Sequence, residues 1–348
     1  AAPTGDWQRR HFLFLRQKRS PGRFFHARGS FCFHERKNGA SRDVLCFTLQ
    51  RELCLMKRFA SLFCALFLVL VAVEAQAEDK EGVLIVAFGT SMESAMPSLN
   101  DIDAAYKAAY PGKPIVWAYT SDIIRKKLAK EGKKIFSVNE ALNDCAEKGI
   151  TSLRVQPLHV TAGEEYMMLQ RMIVKNLTKN PGKFEHVYLA YPLIYSSEDL
   201  DRVIDAVLGS LAKDRKSGDY VVLMGHGNDR GASDLTLAAI HDRFLQKDPH
   251  VFVATVEGAN GFSHILPVLK SRKAKTVHIE PLMVVAGDHA NNDLAGSEDD
   301  SWASQMKKAG MKVVPHLRGL GEIPAIRDIY LSHTQAAKDD MAHPKKSD

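Results

Sequence analysis

The chain has 348 residues, with 47 Lys and Arg against 41 Asp and Glu, and five cysteines. The basic excess lies near its beginning: residues 1–77 hold 13 basic and five acidic residues, so residues 78–348 hold 34 and 36, a net charge of −2. A slightly acidic balance argues against nucleic-acid binding, which requires a basic face on the folded domain.

Residues 56–77 have the pattern of a secretory signal peptide. Met56-Lys57-Arg58 precedes an apolar run at 59–73, and Ala75-Gln76-Ala77 follows as a cleavage site. We therefore expect residues 1–55 to be an upstream leader outside the native protein, and the mature chain to begin near residue 78 and to be periplasmic. No later apolar run approaches the roughly 18 residues that span a bilayer. Cys145 alone remains after residue 77, so no internal disulfide is expected.

Short β-branched runs alternate with amphipathic segments from residue 81 onward. Ser137 and Glu140 form a capping box that opens a helix ending at Gly149, and residues 197–211 place apolar side chains at helical spacing. Apolar strands separated by helices indicate parallel sheets covered on both faces, an α/β doubly wound fold. The eight predicted strands are 83–87, 115–119, 153–157, 187–190, 220–224, 251–256, 276–280 and 312–315.

The two halves of this region resemble each other. Residues 83–89 (VLIVAFG) match 221–227 (VVLMGHG), and residues 155–165 (VQPLHVTAGEE) match 279–289 (IEPLMVVAGDH). Repeated segments in the same order indicate internal duplication, and we predict two Rossmann-like halves that face each other across a cleft. The predicted divisions are a leader (1–55), a signal peptide (56–77), an N-terminal half (78–212), a C-terminal half (213–340) and a polar tail (341–348).

Polar side chains stand in the segments that follow three strands of the C-terminal half: His226, Glu257 and His289. In open parallel sheets, ligands bind beyond the carboxyl ends of the strands, so these three side chains are expected to lie together. Two imidazoles and one carboxylate suit borderline divalent metals such as Co, Ni, Fe or Zn and leave coordination positions open. The sequence therefore predicts a metal site at this edge.

The N-terminal half carries different side chains at the equivalent positions, Phe88 after its first strand and Glu164 and Glu165 after its third. An apolar wall and carboxylates would thus face the metal site. A competing interpretation is a dinucleotide-binding loop at residues 225–231, but Arg230 occupies the position where that fingerprint needs its third glycine. The metal site is the favoured interpretation.

Three segments resemble the CbiK-type anaerobic sirohydrochlorin cobalt chelatases, which are relatives of ferrochelatase. They are Gly225-His226-Gly227 after a strand, Val256-Glu257-Gly258, and residues 280–296 (EPLMVVAGDHANNDLAG). The resemblance covers residues 80–340. It implies a chelatase-like fold and a lyase that inserts Co(II), or Fe(II), into the tetrapyrrole sirohydrochlorin.

The resemblance also implies roles for residues. The macrocycle must lose two N–H protons while the metal sheds its waters, and neutral imidazole can serve as metal ligand and as proton acceptor near pH 7. We assign both tasks to His226 and His289, with Glu257 as third ligand and proton carrier. Arg154 and Arg230 are candidate partners of substrate carboxylates. The predicted substrate-binding residues are Phe88, Gly89, Tyr119, Glu164, Glu165 and Gly227.

A different class of function explains the same pattern: an exported protein that binds a metal or a tetrapyrrole without catalysis. Apolar helix faces lead us to expect a homo-oligomer. His159 and His186 are spare histidines that could bind a second tetrapyrrole, such as haem, at a subunit contact.

Overall fold

A computed structural model describes residues 80–211, 213–228 and 233–344. The predicted leader and signal peptide lie outside these residues, as does Arg230. The strands of the described chain are β1 (Glu81–Ala87), β2 (Ile115–Tyr119), β3 (Ser152–Pro157), β4 (His186–Leu189), β5 (Tyr220–Gly225), β6 (Val251–Thr255), β7 (Thr276–Pro281) and β8 (Lys312–Pro315). Its α-helices are α1 (Met96–Ala109), α2 (Asp122–Lys130), α3 (Val138–Glu147), α4 (Glu164–Lys179), α5 (Ser197–Leu211), α6 (Ser233–Lys247), α7 (Phe262–Ser271), α8 (Trp302–Lys308) and α9 (Pro324–Ala336).

The strands form two four-stranded parallel sheets with the same internal order. The first has the order β2-β1-β3-β4 and the second β6-β5-β7-β8. Every named pair is parallel, with β1 between β2 and β3 and β5 between β6 and β7. The α/β doubly wound prediction is confirmed, and the predicted repeats occupy equivalent strands of the two sheets.

The central strands β1 and β5 are buried on both faces because helices cover both faces of each sheet. Along β1, Val83, Ile85 and Ala87 belong to a core shared by the two halves, whereas Leu84 and Val86 pack under α3 and α4. Successive side chains of a strand point to opposite faces, so this split follows directly from the strand period. The shared core joins the halves into one body between residues 80 and 344.

Local signals in the sequence set the helix boundaries correctly. Ser137 accepts a hydrogen bond from the Glu140 amide while the Glu140 carboxylate accepts one from the Ser137 amide, which is the predicted capping box. The helix α3 ends at Glu147, and Gly149 follows in the left-handed region at φ 72°. The helix α5 begins at Ser197, as predicted.

The end of the chain returns to the N-terminal half. The helix α9 packs on α1, α5 and β3, although it was predicted as part of the C-terminal half. Arg154 holds this helix: its Nη1 donates to the Thr334 carbonyl at 2.9 Å and its Nε donates to Glu81 at 2.6 Å. Arg154 therefore serves the fold rather than the substrate carboxylates proposed for it. In the described part of the chain, no helix combines the length and apolar content needed to cross a bilayer.

Candidate functional site

A cleft of about 700 Å³ lies between the two halves. It is lined by the loops that follow β1 and β3 in the first half and β5, β6 and β7 in the second. All of these loops leave the carboxyl ends of parallel strands, where ligand sites form in such sheets. The topology rule applied to the sequence thus placed the cleft correctly.

The structure brings His226, Glu257 and His289 together on one wall of this cleft. The two imidazole rings are perpendicular, at 87°, with their centroids 4.9 Å apart. The Nδ1 of His226 lies 4.0 Å from Glu257 Oε2. All three side chains remain accessible, so a metal ion can reach them from the cleft.

Hydrogen bonds assign the same tautomer to both imidazoles. The Nδ1 of His289 donates to Asp293 Oδ2 at 2.6 Å, and that of His226 donates to the Gly227 carbonyl at 3.1 Å. Both partners can only accept, since one is a carboxylate and the other a carbonyl. The lone pair of each neutral ring therefore resides on Nε2, which is then free to bind a metal, as in most imidazole metal sites.

Backbone contacts hold the His226 and Glu257 loops side by side. The Glu257 amide donates to the His226 carbonyl at 2.9 Å, and the Val256 amide donates to the Gly225 carbonyl at 3.1 Å. Gly227 permits this approach, because its φ is 83° and any Cβ would overlap the Glu257 carbonyl oxygen. Gly227, predicted as a substrate-binding residue, thus lets the backbone of the neighbouring loop come close. It thereby shapes the wall of the cleft that carries His226, Glu257 and His289, called the metal wall below.

On the opposite wall of the cleft, the adjacent residues Glu164 and Glu165 have different surroundings. Glu165 is half-buried in the cleft, and Thr120 Oγ1 donates to it at 3.4 Å. Burial raises its pKa against the opposing effects of the Thr120 hydrogen bond and of His226 across the cleft. Glu164 is exposed and forms an ion pair with Arg171 on its own helix. Of the two predicted carboxylates, Glu165 is the one whose environment suits proton transfer to or from the metal wall.

The other predicted substrate-binding residues lie in two different places. Phe88 and Gly89 line the cleft, whereas Tyr119 lies beneath its surface. Phe88 is half-exposed and lines the cleft together with Gly89. Tyr119 is buried, and its ring packs under Gly89, where a Cβ would lie 2.7 Å from Tyr119 Cγ. Tyr119 is not among the described residues that line the cleft, because the end of β2 turns this side chain into the shared core.

Several cleft residues were missed by the sequence reasoning. Ile123 and Ile124 extend the apolar wall beside Phe88, and Lys127 adds a cation one helical turn further along α2. Lys127 forms no ion pair with another described residue, so its charge is available to an anionic ligand. Asp293 was also missed, although its i+4 spacing from His289 on a helix was a readable signal.

His159 lies deep in the cleft lining. Both of its ring nitrogens are buried and make no hydrogen bond to the described residues. Burial lowers its pKa to about 4, so the ring is neutral at physiological pH. The other spare histidine, His186, lies away from the cleft at the start of β4.

Comparison with known sequences finds metal chelatases. The sequence model of the CbiK cobalt chelatase family matches residues 81–339. The chain is 36% identical over 258 residues to the sirohydrochlorin cobaltochelatase CbiKC of Nitratidesulfovibrio vulgaris, covering 74% of this chain and 90% of that relative. It is 32% identical over 260 residues to the sirohydrochlorin cobaltochelatase of Salmonella typhimurium, covering 74% and 96%.

Solved structures of chelatases share the fold. The sirohydrochlorin chelatase SirB of Bacillus subtilis subspecies spizizenii in complex with cobalt has a TM-score of 0.53 at 14% identity, covering 75% of this chain and 99% of that chain. SirB of Bacillus subtilis with Fe3+ has a TM-score of 0.52 at 13% identity, covering 75% and 96%. At these identities the likeness concerns the fold alone.

Proposed function

The chain belongs to the CbiK cobalt chelatase family, and on this premise we propose that it inserts Co(II) into sirohydrochlorin in the cleft between its two halves. The observation that carries the proposal is the perpendicular pair His226 and His289, whose Nδ1 atoms are both occupied by acceptors. Two Nε2 ligands and the Glu257 carboxylate can hold a divalent metal while leaving positions open for the pyrrole nitrogens.

The acceptors behind the two histidines fix the orientation and the tautomer of both rings. A carboxylate that accepts from His289 Nδ1 makes Nε2 a stronger metal ligand. When the metal moves into the macrocycle, the freed Nε2 atoms can take the two pyrrole protons. Metal release and proton uptake are thereby coupled on the same side chains.

Glu165 completes a route for those protons. Its carboxylate faces His226 across the cleft, and burial raises its pKa. A carboxyl group whose pKa lies closer to neutrality exchanges protons with an imidazole more readily than an ordinary exposed glutamate does. We assign it the transfer of protons from the metal wall to solvent.

The opposite wall suits a flat, anionic macrocycle. Phe88, Ile123 and Ile124 supply apolar surface against a ring face, and Lys127 supplies a positive charge at the edge of that surface. Sirohydrochlorin carries many carboxylates, and a lysine ammonium can pair with one of them. Arg230 stays a sequence-based candidate for the same task, outside the described residues.

A single-turnover assay tests the activity. The purified protein is mixed with sirohydrochlorin and Co(II), and the absorbance change of the macrocycle is followed. We expect acceleration over buffer, and a loss of at least about 100-fold in the His226→Ala and His289→Ala variants. His264→Ala, which alters an exposed histidine on α7, should leave the rate unchanged.

Two results would contradict this proposal. Wild-type protein that binds both reactants but gives no acceleration would indicate a carrier without catalysis. Folded His226→Ala and His289→Ala variants with wild-type rates would place the reaction elsewhere. The ligand set also suits Fe(II) and Ni(II), so relative rates with the three metals determine the preferred substrate.

Three expectations from the sequence remain proposals. Export to the periplasm predicts that the secreted form begins near Glu78, which mass spectrometry of a periplasmic extract can check. A homo-oligomer predicts a multiple of the monomer mass in solution. A bound haem predicts a Soret band in the purified protein that the His159→Ala or His186→Ala variant weakens.

A further inference from the structure

The segment after α9 adds to the edge of the first sheet. The Met341 amide donates to the Val187 carbonyl at 2.7 Å, and the Leu189 amide donates to the Asp339 carbonyl at 3.2 Å. Met341 and Ala342 pack against the core of the N-terminal half. The polar tail predicted from the sequence, residues 341–348, thus begins where the chain pairs with β4.

This docking places one carboxylate between two imidazoles. Asp340 Oδ2 lies 2.8 Å from His186 Nδ1 and 3.2 Å from His343 Nδ1. Asp340 Oδ1 accepts hydrogen bonds from the Val187 and Ala342 amides, each at 3.0 Å. The amides fix the carboxylate so that its second oxygen faces both rings.

We propose that His186, Asp340 and His343 form a second metal site, which binds Zn2+ or a similar divalent transition metal. One nitrogen or oxygen from each of the three lies within 4.8 Å of the others. Ligand atoms about 2.0–2.2 Å from a tetrahedral zinc are about 3.3–3.6 Å apart, so small side-chain rotations open the cluster for a metal. Two imidazoles with one carboxylate favour zinc, cobalt or nickel over magnesium or calcium.

The contacts around the three side chains resemble those that orient the ligands in protein metal sites. The His186 ring stacks on Tyr188, with centroids 5.4 Å apart and an interplanar angle of 18°. The two amides on Asp340 Oδ1 restrain the carboxylate, as hydrogen bonds behind metal ligands generally do. With His343 68% exposed, the metal can load from solution and keep a water ligand.

The site is independent of the cleft. His186 is the first residue of β4, at the amino end of the sheet, whereas the cleft lies beyond the carboxyl ends of the strands. Its ligands come from two segments about 150 residues apart in the chain. A metal there would fasten the C-terminal tail to the sheet edge and would take no part in cobalt insertion.

Zinc titration of a protein lacking the cleft site provides the test. In a His226→Ala/His289→Ala background, isothermal titration with Zn2+ should detect one site per chain. Adding His343→Ala should weaken that site at least tenfold, and adding His186→Ala should do the same. Adding His250→Ala should not weaken the site. His250 is the matched control because it also lies near an aspartate, packs against a tyrosine and is 38% exposed, against 40% for His186.

Two further measurements test whether the variant is folded and whether bound zinc holds the C-terminal segment on the sheet. The His343→Ala change in the otherwise wild-type protein should leave the circular dichroism spectrum and the cobalt insertion rate unchanged. Zinc should slow hydrogen exchange at the Met341 amide, and His343→Ala should abolish this protection. No zinc site in the cleft-deficient protein, or equal affinity with and without both His186 and His343, would overturn the proposal.

Discussion

Replacing Gly227 with alanine tests how the loops of the metal wall are held together. Gly227 has φ 83°, and an added Cβ would lie 2.8 Å from both the Glu257 carbonyl carbon and Thr255 Cβ. Ordinary contacts of a Cβ begin near 3.4 Å. These two atoms would have to move away by at least 0.6 Å, the difference between these two distances, and the Glu257 carbonyl oxygen, which the Cβ would overlap, would have to move further.

Two separate costs follow from this substitution. A left-handed alanine costs roughly 1–2 kcal/mol relative to glycine, whatever its surroundings. The displacement additionally moves Glu257 away from His226, and a misplacement near 1 Å can lower a catalysed rate by roughly 100-fold. We therefore expect Gly227→Ala to lose roughly 10- to 100-fold in cobalt insertion rate as well as stability.

Gly218→Ala is the matched control. Gly218 has φ 88°, and a Cβ there would have no heavy atom within 4 Å. It incurs the conformational cost without the contact, so its melting temperature should fall by a few degrees while its insertion rate stays at the wild-type value. The assay measures melting temperature, Co(II) affinity and single-turnover rate for both variants.

Similar behaviour of the two variants would refute this account of Gly227. Equal losses of stability with unchanged rates would show that the loops tolerate the Cβ, and that the close approach at Gly227 does not set the metal geometry. Wild-type Co(II) affinity in Gly227→Ala would lead to the same conclusion.

Three other predictions follow from the site and the core. Asp293→Ala should lower Co(II) affinity roughly 10- to 100-fold because it removes the acceptor behind an imidazole ligand; equilibrium dialysis measures this, and unchanged affinity would contradict the assigned tautomer. Glu165→Gln should slow insertion much more than Glu164→Gln, and equal rates would remove the proton route. Arg318→Met leaves the buried carboxylate of Glu280 unpaired and should cost about 3–5 kcal/mol at neutral pH. Burial raises the pKa of Glu280, against the opposing effect of Arg318. As pH falls toward the ordinary value of 4.5, the Glu280 carboxyl group becomes protonated and no longer needs an ionic partner. The difference in melting temperature between the wild-type protein and the variant should therefore shrink. A pH-independent difference would contradict this cause.

The secondary structure was largely readable from the sequence because most strands are short apolar runs and several helices begin at a capping serine. Ser137 and Gly149 mark the ends of α3 through local hydrogen bonding and backbone conformation alone. These signals act within a few residues, so no knowledge of the tertiary fold is needed to read them.

Long-range contacts were not readable in this way. Arg154 was one of two candidate partners for substrate carboxylates, but its guanidinium holds the end of α9, 180 residues further along the chain. Tyr119 was assigned to the substrate, but it supports Gly89 from below. A sequence pattern gives the residue type at a strand end, whereas its surroundings depend on which distant segment packs there.

The sequence by itself determined the alternation of strands and helices, the duplication, and the positions of His226, Glu257 and His289 after three strands, since these follow from local patterns and one topology rule. Only the tertiary structure distinguished Glu165 from Glu164, because adjacent residues on a helix differ by the direction in which the packed helix presents them. Only it brought His186 to Asp340 and His343, because that contact depends on the chain returning from α9 to the edge of the first sheet.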